Sequence, residues 1–377
     1  MDFDLRSHTL LLTVSGSRAY GLHTGGSDVD VRGVAVPPAR YYHGFLARFD
    51  QADAAGSMDA FFDDLTTEEQ RACSDTKLEG SVFELRKFAR LAADCNPNIL
   101  DVLFCRDGEV RHCTPAGDIL RKNRNKFLSA KARHTYSGYA MAQLKRIKSH
   151  RKWLLDPPQK APTRGEFGLP ETTLIARPQQ DAAEAAIAKK MDEWRIDFGD
   201  LVASEKVHIT SQIATYLAEL TITSDNEWRG AARAVGLDDN LIEVMGRERR
   251  YKSAHRHFKQ YREWQRKRNP QRAALEAKWG YDTKHGCHLM RLLRMGREIL
   301  ETGRVNVWRG DIDAEELQQI RNGGWTYDEL VHGATAVLQR LEALEDTGSI
   351  AVPHKARRVE LDELVQLIVE EALAKSR

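Results

Sequence analysis

Short β-rich runs occupy only the first 110 or so residues of this chain, and nearly everything after residue 115 reads as helix. That split selects an α+β chain: a small mixed-sheet domain, placed at 1–112, followed by a large helical domain at 113–377. HTLLLTV (8–14) and VDVRGVAV (29–36) suit strands. TKLEGSVFEL (76–85) leads into FELRKFARLAADC, whose apolar positions recur at helical spacing. NPNILDVLF opens on Asn-Pro, a helix start. The acidic piece at 53–75 reads as an insertion or mobile loop. AKARHTYSGYAMAQLKRIKSHRKWLL is one long amphipathic helix, stopped by Asp156-Pro157-Pro158, and the proline-rich stretch that follows places a loop or linker near 156–178. Further helices are expected near 180–195, 204–222, 226–236, 239–268, 284–302, 313–321, 326–346 and 359–375.

With 377 residues, 41% hydrophobic and 30% charged, the chain has enough apolar mass for real cores. No segment approaches the roughly 20 apolar residues of a membrane span. The N-terminus MDFDLRSHTLLLTV opens with acids, unlike a secretory leader, and five cysteines without a CxxC pair read as reduced thiols in a cytoplasm. The net charge of +2 conceals local asymmetry. Residues 247–272 carry eleven Lys or Arg against two Glu, and 121–133 and 145–152 are basic too, while 50–69 is acidic. Such separation points to a polyanionic partner.

The stretch VSGSRAYGLHTGGSDVDVRGVAV (14–36) carries the chemistry. An apolar strand ending in Ser15-Gly16-Ser17 can feed a helix whose first N–H groups and partial positive charge suit a phosphate. Gly16 lets the backbone approach the anion, Ser17 adds a hydroxyl donor, and Arg18 adds charge. Asp28 and Asp30 stand two apart on a strand, so both carboxylates leave the same face. Such a pair repels unless a cation lies between them, and Mg2+, which prefers oxygen ligands, is that cation beside a triphosphate. A third carboxylate normally completes the set. Glu84, at the strand-to-helix junction of SVFELRKF, is the candidate, with Asp75 and Glu79 as alternatives; Glu84 also fits a helix N-terminal acid.

GSRAYGLHTGGSDVDVRGV resembles the GS…DxD motif of the DNA polymerase β-like nucleotidyltransferase superfamily, and its "GSxxYG…SDxDxRG" form is closer to the RlaP-like, RNA repair pathway-associated branch. FELRKFARLAADCNPNILDVLF, SGYAMAQLKRIKSH, YDTKHGCHLMRLLRMGREILETG and IRNGGWTYDEL are similar to other segments of that branch, leaving roughly 155–245 unmatched. The resemblance implies transfer of a nucleoside monophosphate from an NTP with two Mg2+ ions, Mn2+ being able to substitute. Gly16 and Ser17 would hold the triphosphate, and Asp28, Asp30 and Glu84 the metals.

Three distal patterns remain. Lys284, His288 and Arg291 share one helical face and read either as a solvated stripe or, with the resemblance, as nucleotide-binding groups. Tyr139, Gln143 and Arg146 repeat that spacing and read either as a substrate-binding wall or as interhelical hydrogen-bonding groups. His285, Cys287 and His288 diverge around their helix and do not make a zinc set. Aromatics interleaved with bases in 247–272 fit either a buried helix side or stacking faces for RNA. Three functions follow: nucleotidyl transfer to an RNA end, in repair or end modification; nucleotidylation, such as AMPylation, of a protein or small molecule; and RNA binding without catalysis.

Overall fold

The computed structural model describes residues 3–54, 56–75, 78–173, 175–194, 228–268, 270–346 and 348–375. A mixed five-stranded sheet lies near the N-terminus, and mostly helical chain follows it. The strands are β1 (Thr9–Ser15), β2 (Asp30–Ala35), β3 (Gln51–Ala52), β4 (Glu79–Glu84) and β5 (Val110–Cys113), in the order β3-β4-β2-β1-β5. Only the β2–β4 pairing is parallel; the others are antiparallel. β1 is buried along its whole length because it sits inside the sheet with both faces covered.

Each sheet face has its own core. Leu11 and Val34 face a layer containing Leu85, Phe88, Ile99 and Leu100, from the helices Leu85–Ala93 and Pro97–Phe104. Leu12, Val31 and Val82 face the opposite layer, which contains Met58, Phe61 and Leu65. Residues 53–75 are therefore no loose insertion. Asp59–Asp64 forms a 3-10 turn and Thr67–Asp75 a helix, and Glu69 locks the segment to Arg111 at 2.6 Å.

The chain forms two compact units: residues 1–151 with 275–377, and residues 152–274. In the first, the C-terminal helices return to the sheet domain. The helix Thr283–Thr302 buries Leu289, Leu293, Met295 and Ile299 in the same core as Leu11 and Phe88. Fully enclosed Arg309 pairs with Glu298 and Asp313, and its backbone N–H bonds the Tyr20 carbonyl. Trp308 packs so closely on the turn after β1 that a Cβ at Gly21 would lie 2.8 Å from its ring. The C-terminal helices thus brace the β1 turn.

The second unit has a core of Ile187, Trp228, Ala231, Ala232, Ile242 and Met245. Its helices Arg177–Trp194 and Asp239–Lys267 and a helical run at 228–234 agree with expectation, whereas the helix expected at 204–222 lies outside the described residues. Among the described residues of 157–176 there is one 3-10 turn, Gly165–Phe167, in keeping with proline-rich chain.

Candidate active site

β1 ends at Ser15, and a single helical turn, Gly16–Ala19, follows at once. Gly16 takes a φ of +65°, a conformation glycine adopts without the Cβ penalty. The space beside it is occupied as well: a Cβ at Gly16 would lie 2.6 Å from Asp30 Oδ2. Ser15 pairs directly with Asp30 across β1–β2, so the Asp30 carboxylate lies against the turn. The Ser15 hydroxyl is buried there without a hydrogen-bond partner. A backbone that needs glycine, an orphaned hydroxyl and a carboxylate thus meet in one place.

Burial alternates along 28–31: Val29 and Val31 are enclosed in the core, while Asp28 is exposed and Asp30 partly exposed. The acids therefore leave the face opposite the valines, as their two-residue spacing requires. The Asp30 carboxyl is pushed above its usual range, chiefly by burial; the Asp28 and Glu79 charges push the same way, and Arg32 and Lys284 oppose them. Arg32 is held by the Asn98 side chain at 3.1 Å.

The structure does not bring Glu84 to the acidic pair. In the parallel β2–β4 register Asp30 stands beside Glu79, whereas Glu84 stands beside Ala35. Five strand residues at about 3.3 Å each put Glu84 roughly 16 Å along the strand from Asp30. Its oxygens are also committed: Glu84 caps the Leu85–Ala93 helix through Lys87 N–H and accepts from Tyr42 and Arg86. Glu79, one of the alternatives, is the residue the register brings to the acidic pair. The side chain of Asp75 lies outside the described residues.

Arg18 is buried, and its guanidinium donates to Glu68 at 3.2 Å. It lines a cleft of about 470 Å³ with His23, Thr24, Gly25, Glu68 and Arg71. Gly25 and Gly26 have open space where a side chain would stand, while Ser27 beside them is buried and its hydroxyl accepts from the Thr24 N–H at 2.8 Å.

Of the distal stripe, Lys284 alone makes its charge felt at Asp30. Arg291 faces no solvent: it lies under the Tyr20 ring at 3.7 Å and 3.9 Å from Asp101, which accepts from the Tyr20 hydroxyl at 2.5 Å. Burial, with the neighbouring charges of Arg291 and Lys284, pushes the His288 pKa well below that of an ordinary histidine and keeps its ring neutral. Of the three, only Arg291 is buried; Lys284 and His288 remain partly exposed. Tyr139 accepts from Asn96 at 2.8 Å, Gln143 bonds His285 at 2.8 Å, and Arg146 is exposed. Tyr139 and Gln143 thus make hydrogen bonds to neighbouring elements.

Residues 4–154 match the family model described as the RNA repair pathway DNA polymerase beta family, RlaP. Over that segment the chain is similar to the RlaP family. The match covers β1, the Gly16 turn, the acidic pair and the sheet. No curated protein and no solved structure matches the chain. RlaP is a polymerase β-type nucleotidyltransferase family linked to RNA repair, and the Gly16, Asp28 and Asp30 positions fall inside the matched segment.

Proposed function

We propose that this protein is a Mg2+-dependent nucleotidyltransferase that moves a nucleoside monophosphate from an NTP to the end of an RNA. The observation that carries the reading is the Asp30 carboxylate set against the glycine turn that ends β1, with Asp28 and Glu79 beside it. An all-oxygen donor set with mutually repelling charges fits a hard divalent cation. Asp28, Asp30 and Glu79 would hold Mg2+, or Mn2+ in its place. Two such ions supply charge neutralisation at the transferring phosphorus and a lowered pKa for an attacking hydroxyl.

The residues of the chain do the positioning. The turn at 16–19 presents backbone N–H groups at a helix start, and Gly16 lets a phosphate approach them. The Ser17 hydroxyl and the orphaned Ser15 hydroxyl add donors. Lys284 brings a positive charge to the same acids from the Thr283–Thr302 helix. The cleft offers the nucleotide the guanidiniums of Arg18 and Arg71, with Arg18 also paired to Glu68 there. In-line attack at the α-phosphorus needs little beyond such positioning and charge neutralisation.

The Asp239–Lys267 helix supports RNA as acceptor. Its aromatics are spent internally: Tyr261 packs on Trp153 and Trp264, and His257 accepts from Trp153 at 2.7 Å. Exposed Arg256, Lys259 and Arg266 leave a basic face suited to backbone phosphates rather than to base stacking. Incubating the protein with each α-labelled NTP, Mg2+ and tRNA or an RNA fragment tests the reading. Label on RNA supports it; label on protein reassigns the acceptor; no label from any NTP overturns it.

A further inference from the structure

At the start of the Thr283–Thr302 helix, His285 and Asp282 meet His150 from the Lys131–Leu155 helix. Asp282 is buried, and both histidine side chains are 16% exposed, so the cluster is enclosed yet reachable from solvent. Asp282 divides its oxygens. Oδ1 caps the helix through the His285 N–H at 3.1 Å, while Oδ2 lies 3.5 Å from His285 Nε2 and 3.8 Å from His150 Nδ1. The three donor atoms all fall within 4.8 Å of one another.

The hydrogen bond on the far side of His285 fixes what its inner nitrogen is. Gln143 Oε1 is an acceptor, so His285 Nδ1 donates to it at 2.8 Å. In the neutral ring this puts the lone pair on Nε2, turned toward a carboxylate oxygen. Two lone-pair atoms so placed attract a cation between them. An outer acceptor that sets the tautomer of an inner imidazole is the usual support of a histidine metal ligand. The spacing also fits: for bonds of about 2.0–2.1 Å, tetrahedral donors stand about 3.3–3.4 Å apart. The two carboxylate–histidine spacings of 3.5 and 3.8 Å need only slight contraction, and the two histidine nitrogens lie within 4.8 Å of each other.

From these observations we infer that His150, Asp282 and His285 form a Zn2+ site separate from the acidic site at Asp28 and Asp30, with Gln143 as its positioning residue. Two imidazoles and one carboxylate, leaving a corner for water, suit zinc rather than magnesium, which demands oxygen-rich octahedral surroundings. Bound there, Zn2+ ties the 131–155 helix to the residue that follows Lys284, and so holds the Lys284 ammonium in place relative to Asp30. No signal in local spacing marks the site, since His150 is remote from the other two in sequence.

The test reads metal uptake, not transfer. Full-length D28N/D30N protein, stripped by chelation, is titrated with Co2+ as a visible probe and then with Zn2+ in competition. One equivalent of tetrahedral Co2+ per chain, displaced by Zn2+, is the expected result. Asp282→Asn keeps the cap oxygen but loses the charge, and His150→Ala removes a ligand outside the helix start. Each should weaken uptake at least ~100-fold, and Gln143→Ala ~10–100-fold, the range for outer-shell partners. No stoichiometric uptake by folded D28N/D30N protein overturns the proposal, as does uptake that Asp282→Asn and His150→Ala both leave unchanged.

Discussion

Replacing Gly16 by alanine adds one methyl group and tests the placement of Asp30. Two costs follow. An L-residue held at a φ of +65° pays about 1–2 kcal/mol of backbone strain. The new Cβ would also stand 2.6 Å from Asp30 Oδ2, and opening that to an ordinary contact of 3.4 Å moves the oxygen by about 0.8 Å. A displacement of about 1 Å at a reacting centre costs on the order of 100-fold in rate. The expected phenotype is a melting temperature lower by about 2–8 °C together with a drop in kcat/KM of ~100-fold, equivalent to about 2.7 kcal/mol. Thermal melts and initial rates of label transfer on the same preparation measure both. A variant with the lowered melting temperature but unimpaired transfer would refute the reasoning, because it would show that the Asp30 carboxylate does not need its place against the turn.

Other outcomes follow from the same geometry. Glu79→Gln should cut transfer by ~100-fold or more with little change in stability, the loss being that of a charge-stabilising group. Glu84→Ala should instead cost about 0.5–2 kcal/mol of stability as a lost helix cap and leave kcat within a few-fold, as denaturant melts and steady-state rates would report; the opposite pattern would restore Glu84 to the site. Asp101→Ala strands Arg291 in the core beneath Tyr20, and should destabilise by about 3–5 kcal/mol in denaturant melts. His257 has its pKa lowered by burial and by Lys152, and accepts from Trp153 as a neutral ring. Its folded pKa lies below its unfolded one, so its contribution to the 152–274 unit is present above about pH 6.5 and lost as pH falls through the folded value; histidine NMR should show it titrating below the exposed histidines.

Much of the architecture was legible because it rests on short-range pattern. The β-rich runs gave β1 and β2, Asn96-Pro97 gave a helix start, and Asp156-Pro157-Pro158 stopped the long helix at Leu155. The 53–75 segment was misread because its acids mask the apolar signal, although Met58, Phe61 and Leu65 are spaced by three and four and all end in the core. Asp28 and Asp30 could be paired from strand periodicity alone. The proposed third partner could not, because the neighbour of Asp30 on β4 is set by the parallel β2–β4 register, which places Glu79 and not Glu84 beside it, a pairing between strands far apart in sequence. For the same reason Arg291 looked like part of a polar stripe: helical spacing shows which residues share a face, not that Tyr20 and Asp101 will enclose one of them. Ser15 has no signal beyond adjacency to the glycine; its unpartnered hydroxyl shows only once the chain is folded.

The most direct measurement is a crystal structure with a non-hydrolysable NTP and Mn2+, read by anomalous scattering. Density for manganese among the oxygens of Asp28, Asp30 and Glu79, with the triphosphate on the Gly16–Ser17 turn, is the predicted result. Manganese and triphosphate bound elsewhere, with the three carboxylates uninvolved, would contradict the account.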